Sequence, residues 1–222
     1  MKKLLFLILF TAYQVAAMAQ QNNANNRSKI YFNSFDNISI GWICPLDKPN
    51  GFDTNFLTTA EIQMTAMNYG FAQGKWNFDF NTDLYFSAYH LKGDNYIASN
   101  KVGDAFLRKF SDGTKDRKAW LFAYGIELSL MTYRKLNDFD RVGFGLIYRP
   151  LFGHSLATYK DTDNQKTTDL YSIKAFNGGN WGIKMEYQMK DVSYYVKYMP
   201  MHTMHEKKGI AFSTLSFGFG IK

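Results

Sequence analysis

Strict period-two alternation, an aromatic content of 18% and connections that run short, then long, along the 222-residue chain predict an all-β fold. Successive side chains of a strand point to opposite faces, so alternation marks a sheet with two unlike sides. The specific expectation is an eight-stranded antiparallel up-and-down transmembrane β-barrel, with short turns at one end and long loops at the other. A single Cys rules out an internal disulfide framework and multi-Cys zinc motifs. No apolar run beyond the N-terminus approaches the ~18 residues of a spanning helix.

The first segment reads as an export signal. Lys2 and Lys3 precede the apolar run Leu4–Phe10, and Ala17-Met18-Ala19 is a small-x-small cleavage site. Cleavage after Ala19 leaves 203 of the 222 residues and lowers the formal charge from +7 to +5, since Lys2 and Lys3 depart. No Cys follows the site, which excludes lipoprotein processing. The domain reading is therefore a signal peptide at 1–19, a polar segment at 20–29 and the barrel at 30–222.

Each strand follows from its own alternation. The first is the weakest, with Ile38, Ile40 and Trp42 against Asn37, Ser39 and Gly41; Ser34 and Asp36 break its outer face upstream, as at a bulge. The second sets Ala60, Ile62, Met64 and Ala66 against Glu61, Gln63 and Thr65. The third is the clearest: Trp76, Phe78, Phe80, Leu84 and Phe86 oppose Asn77, Asp79, Asn81, Asp83 and Tyr85. The fourth sets Trp120, Phe122, Tyr124, Ile126, Leu128 and Leu130 against Ala123, Gly125, Glu127 and Ser129. In the fifth, Val142, Phe144, Leu146 and Tyr148 oppose Gly143, Gly145 and Arg149. In the sixth, Trp181, Ile183, Met185 and Tyr187 oppose Gly182, Lys184, Glu186 and Gln188. The seventh sets Val192, Tyr194, Val196 and Tyr198 against Ser193, Tyr195 and Lys197. The last sets Ala211, Leu215, Phe217, Phe219 and Ile221 against Thr214, Ser216, Gly218 and Gly220. Tight turns fall at Gln73-Gly74, Asn137-Asp138 and Lys190-Asp191, and long loops at about 44–54, 90–118, 152–180 and 201–209. Thr168–Phe176 has strand character and reads as an extension of the third loop beyond the ring.

Which face turns outward separates a soluble sandwich from a membrane barrel. The polar face is rich in Gly, Ser, Asn and isolated charges, with few Lys, which is unusual for a solvent surface. Trp42, Trp120 and Trp181 lie at the loop side and Trp76 at the turn side, the placement of membrane-interface girdles. The strands suit the ~9–11 residues of a tilted membrane strand. These features favour an apolar exterior and a polar lumen.

On these residues the chain resembles the small eight-stranded outer-membrane barrels of the OmpA transmembrane-domain and OmpX type, over about residues 30–222. The resemblance rests on pattern rather than on a diagnostic motif. It implies a bacterial outer-membrane location, contact with outer-membrane lipid and lipopolysaccharide, insertion by the barrel-assembly machinery, and a monomer. Such barrels usually end in an aromatic residue; this chain ends Phe219-Gly220-Ile221-Lys222. The cell-wall tethering of longer relatives is not carried over.

An eight-stranded barrel is just wide enough to be filled by its own side chains. The expected lumen network joins Glu61, Asp79, Asp83, Glu127 and Glu186 to Arg149, Lys184 and Lys197, because buried charges persist only when paired. A structural plug is the expectation, and a narrow pore the alternative. Asp79 and Asp83 are no glycosidase pair, since a strand rise of ~3.3 Å per residue holds them about 13 Å apart.

The loops carry little catalytic signal. All four His (His90, His154, His202 and His205) fall in or beside them. Met199-Pro200-Met201-His202-Thr203-Met204-His205 gathers soft donors suited to copper, and chance composition is the preferred explanation, so no metal or other cofactor is expected. His154-Ser155 is adjacent, whereas the lipid A deacylases of this shape use a His and a Ser two residues apart; adjacent strand residues face opposite ways. The chain therefore reads as a non-enzymatic envelope protein with a structural or surface-interaction role; a lipid A deacylase-like enzyme is the alternative. Loop bases, including Lys92, Lys101, Arg108 and Lys109, suit lipopolysaccharide phosphates. Interspersed acids and export argue against nucleic acid.

Overall fold

The computed structural model describes residues 29–35 and 37–221. The signal peptide and its cleavage site, most of the polar segment, Asp36 and Lys222 lie outside the described residues. In chain order the strands are β1 (Lys29–Asn33), β2 (Ile38–Leu46), β3 (Ala60–Gln73), β4 (Trp76–Leu91), β5 (Asn95–Ser99), β6 (Ala105–Lys109) and β7 (Lys115–Lys135). They continue as β8 (Asp140–Arg149), β9 (Leu151–Lys160), β10 (Lys166–Ile173), β11 (Asn180–Met189), β12 (Val192–Met199) and β13 (Ser213–Ile221).

Eight of these pair antiparallel in a cycle: β2 with β3, β3 with β4, β4 with β7, β7 with β8, β8 with β11, β11 with β12 and β12 with β13. The cycle returns through β13 to β2, where Phe217 faces Trp42 and Ile221 faces Ile38. These eight are the alternating segments of the sequence, each lengthened or trimmed at its ends. Ala211, assigned to the last strand by parity, precedes β13 instead.

Two of the three tight turns have two connecting residues, and each uses a positive φ at the first. Gly74 (φ 58°) joins β3 to β4 and Lys190 (φ 51°) joins β11 to β12. A positive φ at this position matches the twist of the flanking strands. The third turn is held by Asn137, whose side-chain oxygen accepts from the backbone N–H groups of Phe139 and Asp140, each at 2.8 Å.

The first ring strand is interrupted where its apolar face fails. β1 pairs with Asn68–Ala72 of β3, and β2 pairs with Ala60–Met64. Between them lie Phe35, with φ of 53°, and a register shift at Thr65/Met67 between β3 and β4. Both strands accommodate the misfit there.

Two segments expected as loops are partly strand. β7 is 21 residues long; its second half pairs with β8 and its first half with β9. Leu128↔Tyr148 and Gly125↔Leu151 share one register, so β8 and β9 form a single line broken at Pro150, which lacks an N–H to donate. A Cβ at Gly125 would press on the Pro150 carbonyl, which is why the bare backbone sits opposite the break. β10 pairs with β9 outside the ring, and β5 and β6 form a separate hairpin. Local alternation in 91–118 and 151–176 is short and broken; β9 pairs along the edge that β7 offers, β10 pairs on β9, and β5 and β6 pair with each other.

The outer face is apolar. Phe78 is 41% exposed and Leu84 46%, while Asp79 and Asp83 beside them are 3% and 5% exposed. A conventional sandwich has the opposite polarity. The sequence did not reveal that the long-loop end of the interior is dry. There Phe52, Ile97, Leu121, Phe176, Met204 and Phe212 are buried together, drawn from all four long connections and the ring wall. Phe52 and Phe212 stack at 4.7 Å, and Tyr89 meets Phe212 edge-on at 5.3 Å. Backbone bonds tie the connections to one another: Ala105 N–H donates to the Lys208 carbonyl at 2.7 Å, and Lys174 N–H to that of Gly103 at 2.9 Å.

This cap should carry much of the stability. Phe212→Ala removes a fully buried ring and is expected to cost about 3–5 kcal/mol. Urea titration followed by tryptophan fluorescence would show the loss. The folded electrophoretic form should survive in the absence of denaturant, because the ring hydrogen bonds are untouched.

Candidate functional site

Beneath the apolar cap the interior changes abruptly to charge. Parity on six strands aims one or more ionisable side chains at the axis: Glu61 from β3, Asp79 and Asp83 from β4, Glu127 from β7, Arg149 from β8, Lys184 and Glu186 from β11, and Lys197 from β12. All eight are buried.

Four of them form a cross-barrel cluster. Lys197 Nζ lies 2.6 Å from Glu61 Oε1 and 3.6 Å from Glu127 Oε2. Arg149 grips Glu127 with two donors, Nε at 3.0 Å and Nη2, and lies 3.9 Å from Glu61 Oε2. Glu61, Glu127 and Lys197 are each 0% exposed. Two carboxylates and two cations balance, which suits a site without solvent. Neutral groups complete the cluster: Lys197 Nζ donates to Gln63 Oε1 at 2.8 Å, and Tyr195 OH donates to Glu61 Oε1 at 2.9 Å. Arg149 stacks its guanidinium 3.7 Å from the centre of the Tyr85 ring. Room for Tyr195 comes from Gly218, where a Cβ would stand 2.7 Å from the tyrosine oxygen.

A second layer lies toward the short turns. Lys184 Nζ and Glu186 Oε2 are 2.6 Å apart. Arg141 Nη1 lies 3.6 Å from Asp79 Oδ2, and Tyr31 OH donates to the other oxygen of Asp79. Arg141 also stacks on Tyr133 at 4.2 Å and donates from Nε to Gln188 at 2.5 Å. Asn68, Asn81 and Ser129 continue the hydrogen bonding across β3, β4 and β7. Within this layer is a cavity of about 20 Å³, lined by Asp79, Asn81, Asp83, Arg141, Lys184 and Glu186 among others; it is the size of one water.

Arg141, Tyr31, which donates to Asp79, and the three cation-stacking tyrosines Tyr85, Tyr133 and Tyr195 belong to this network but escaped the sequence reading. The signal for Arg141 existed: it shares parity with Arg149 in the same strand. Tyr85 and Tyr195 sit on the polar faces of their strands, yet nothing local says that they stack on cations from other strands.

The four Trp share the outward parity of their strands; Trp76 and Trp181 stand at strand ends, whereas Trp42 lies midway along β2 and Trp120 is the sixth residue of β7. Trp76, 47% exposed, adjoins the Gly74 turn. Trp42 stacks on Phe217 at 6.1 Å, and Trp181 packs against Tyr148 at 4.8 Å. Trp120 stacks on His90 at 4.2 Å and pairs with Leu156 of β9, placing it on the sheet that rises above the ring.

The loop chemistry does not converge. His154 meets Tyr124 OH at 3.3 Å on the outer face, while its neighbour Ser155 is fully buried. His90 Nδ1 is 2.7 Å from Thr58 Oγ1. The Met/His string is divided, with Met199 and Met204 buried and His202 paired to Glu206 at 2.9 Å. No group of three His, Cys, Asp or Glu side chains poised for a metal occurs among the described residues. Outside the ring, the Lys48 ammonium 2.5 Å from Asp53 holds that carboxyl below the usual carboxylate range.

These pairings define the class: an antiparallel ring with an apolar outside, an ionic middle and a dry cap. No family model and no curated protein matches the chain. Among solved structures it is similar to Ail, the attachment invasion locus protein of Yersinia pestis, with a TM-score of 0.38 and 11% identity over 87% of this chain and 96% of that one. Ail in complex with the heparin analogue sucrose octasulfate matches with a TM-score of 0.36 and 10% identity, over 88% and 97%.

Removing one partner of the buried cluster leaves the others uncompensated. Arg149→Met should destabilise the protein by about 3–5 kcal/mol. A paired replacement, Glu127→Gln with Arg149→Met, should recover part of the loss. A double-mutant cycle on urea midpoints measures the coupling, and near-additive losses would show that the two residues act independently.

Proposed function

We propose that this chain is a bacterial outer-membrane β-barrel with a plugged, non-conducting lumen, which presents its loop cap at the cell surface in a structural or surface-interaction role. The observation that carries this reading is the inversion of polarity around the ring. Phe78, Leu84, Ile126, Leu130, Phe144 and Leu146 are exposed, whereas Glu61, Glu127 and Lys197 are sealed inside. In water that arrangement would leave a broad apolar belt in solvent; in a bilayer that cost disappears, while the buried charges are offset by their pairing with one another.

The interior supports a plug over a pore. Its polar cavity of about 20 Å³ lies at the level of Asp79, Arg141 and Glu186, and the sealed Glu61–Glu127–Arg149–Lys197 cluster stands between it and the apolar cap of Phe52, Phe212 and Met204. Exposed cations at that end, among them Lys48, Lys92, Lys101, Lys207 and Lys208, suit the phosphates of lipopolysaccharide. A monomer inserted by the barrel-assembly machinery fits a ring in which each strand already has two neighbours. The divergence of His154 and Ser155 favours a non-enzymatic role over lipid deacylation.

Five measurements test this. The purified protein should migrate faster on gels before boiling than after, and should need detergent for extraction. Leu84→Arg should cost about 2–4 kcal/mol in vesicles if the residue faces the middle of the bilayer; a neutral effect together with extraction into plain buffer would overturn the membrane reading. Planar bilayers should show no steady conductance, and lipid A mass spectra should be the same in cells with and without the protein.

A further inference from the structure

The outer face carries a cation-headed trough beside the Gly74 turn. On the outward side of β4 and β7, Trp76 stands opposite Arg134 and Phe78 opposite Thr132. Across the next pairing, Arg134 faces Val142 and Thr132 faces Phe144. Thr132 is thus a small floor between two aromatic walls. Phe78, Val142 and Phe144 are all exposed, and Phe71 stacks behind Phe78 at 6.3 Å. A groove of about 650 Å³ opens here, lined by Gln73, Gly74, Lys75, Trp76, Phe78 and Thr132.

The head of this groove is positive. Lys75, Arg134 and Lys135 are exposed, and none of them takes part in an ion pair among the described residues. The Arg134 guanidinium carbon is 5.8 Å from the centre of the Trp76 ring, which itself lines the groove. A mostly apolar groove that is cationic at its turn end matches one chemistry: a phosphodiester headgroup joined to hydrocarbon tails.

We propose that this trough binds a glycerophospholipid of the leaflet on the short-turn side, its phosphate held by Arg134 and Lys75 and one acyl chain laid over Thr132 between Phe78 and Phe144. The inference rests on the membrane reading above. It concerns the end of the barrel opposite the lipopolysaccharide-facing loops, so the two lipid contacts are separable.

The test is native mass spectrometry of the full mature chain released from maltoside micelles doped with dioleoylphosphatidylglycerol, with dioleoylglycerol, or with inorganic phosphate alone. One phosphatidylglycerol should be retained in preference to both other probes. Lys75→Gln with Arg134→Gln should weaken retention about tenfold, and Thr132→Trp, which fills the floor, should weaken it independently of charge. Each variant is first checked for the fast-migrating unboiled gel form. Folded variants that keep wild-type retention, or equal retention of dioleoylglycerol, would overturn the lipid site alone. Free phosphate bound as tightly as the lipid would reduce it to an anion contact and overturn it equally. Absence of the fast form in the wild type would instead sink the membrane reading beneath it.

Discussion

Four charges share a space without water, and that constraint organises the molecule. Glu61, Glu127, Arg149 and Lys197 come from four strands, and Lys197 of β12 reaches acids on both β3 and β7. Each buried charge is tolerable only while its counterions hold position. The cluster therefore demands a particular register around the ring, since a one-residue slip would send a charge outward and a hydrophobe inward. Tyr195 and Gln63 add hydrogen bonds and Tyr85 a ring face, and Gly218 stays small so that Tyr195 can reach Glu61. Ion pairing here contributes to specificity more plainly than to net stability.

The apolar cap answers a different problem. A ring of eight strands seals its middle with side chains, but its long-loop mouth would otherwise admit water to the ion cluster. Residues from the four long connections close it, with Phe52, Ile97, Phe176 and Phe212 each buried. The β5–β6 hairpin lies over the result, Tyr96 stacking on Tyr171 at 6.0 Å and on Phe110 at 4.7 Å. Loops that read as charged and solvated thus carry a hidden apolar side. Excluding water raises the strength of the ionic layer below, because the local dielectric falls. Cap and cluster reinforce each other.

Parity made much of the ring legible. From Trp76 to Ala88 the alternation is unbroken, so Asp79 and Asp83 had to share a face and Phe78 and Leu84 the other. The same reasoning placed Arg149 with Gly143 and Gly145, and Lys197 with Tyr195. It was blind to Phe52 and Phe212, which lie outside regular strands, and to Ile97, whose five-residue strand is too short to show alternation. It also missed the continuation of β8 into β9, since Pro150 interrupts the pattern although the register persists through it. The metal-like Met/His string dissolved for a similar reason: Met199 and Met204 are claimed by the interior, and spacing along a chain does not report direction in space.

The chain by itself determined the strand type, the number of ring strands, the two unlike faces and the side on which the short turns lie. These follow from local chemistry, because side-chain alternation and turn preference act within a few residues. Tertiary structure decided which charges meet, which loop residues leave water, and how far β7 extends past the ring. Those outcomes depend on contacts between strands distant in sequence, and the pairing of Glu61 with Lys197 across 136 positions of chain has no local signature. Closure supplies it: only when β13 returns to β2 does an interior exist for the polar faces to share.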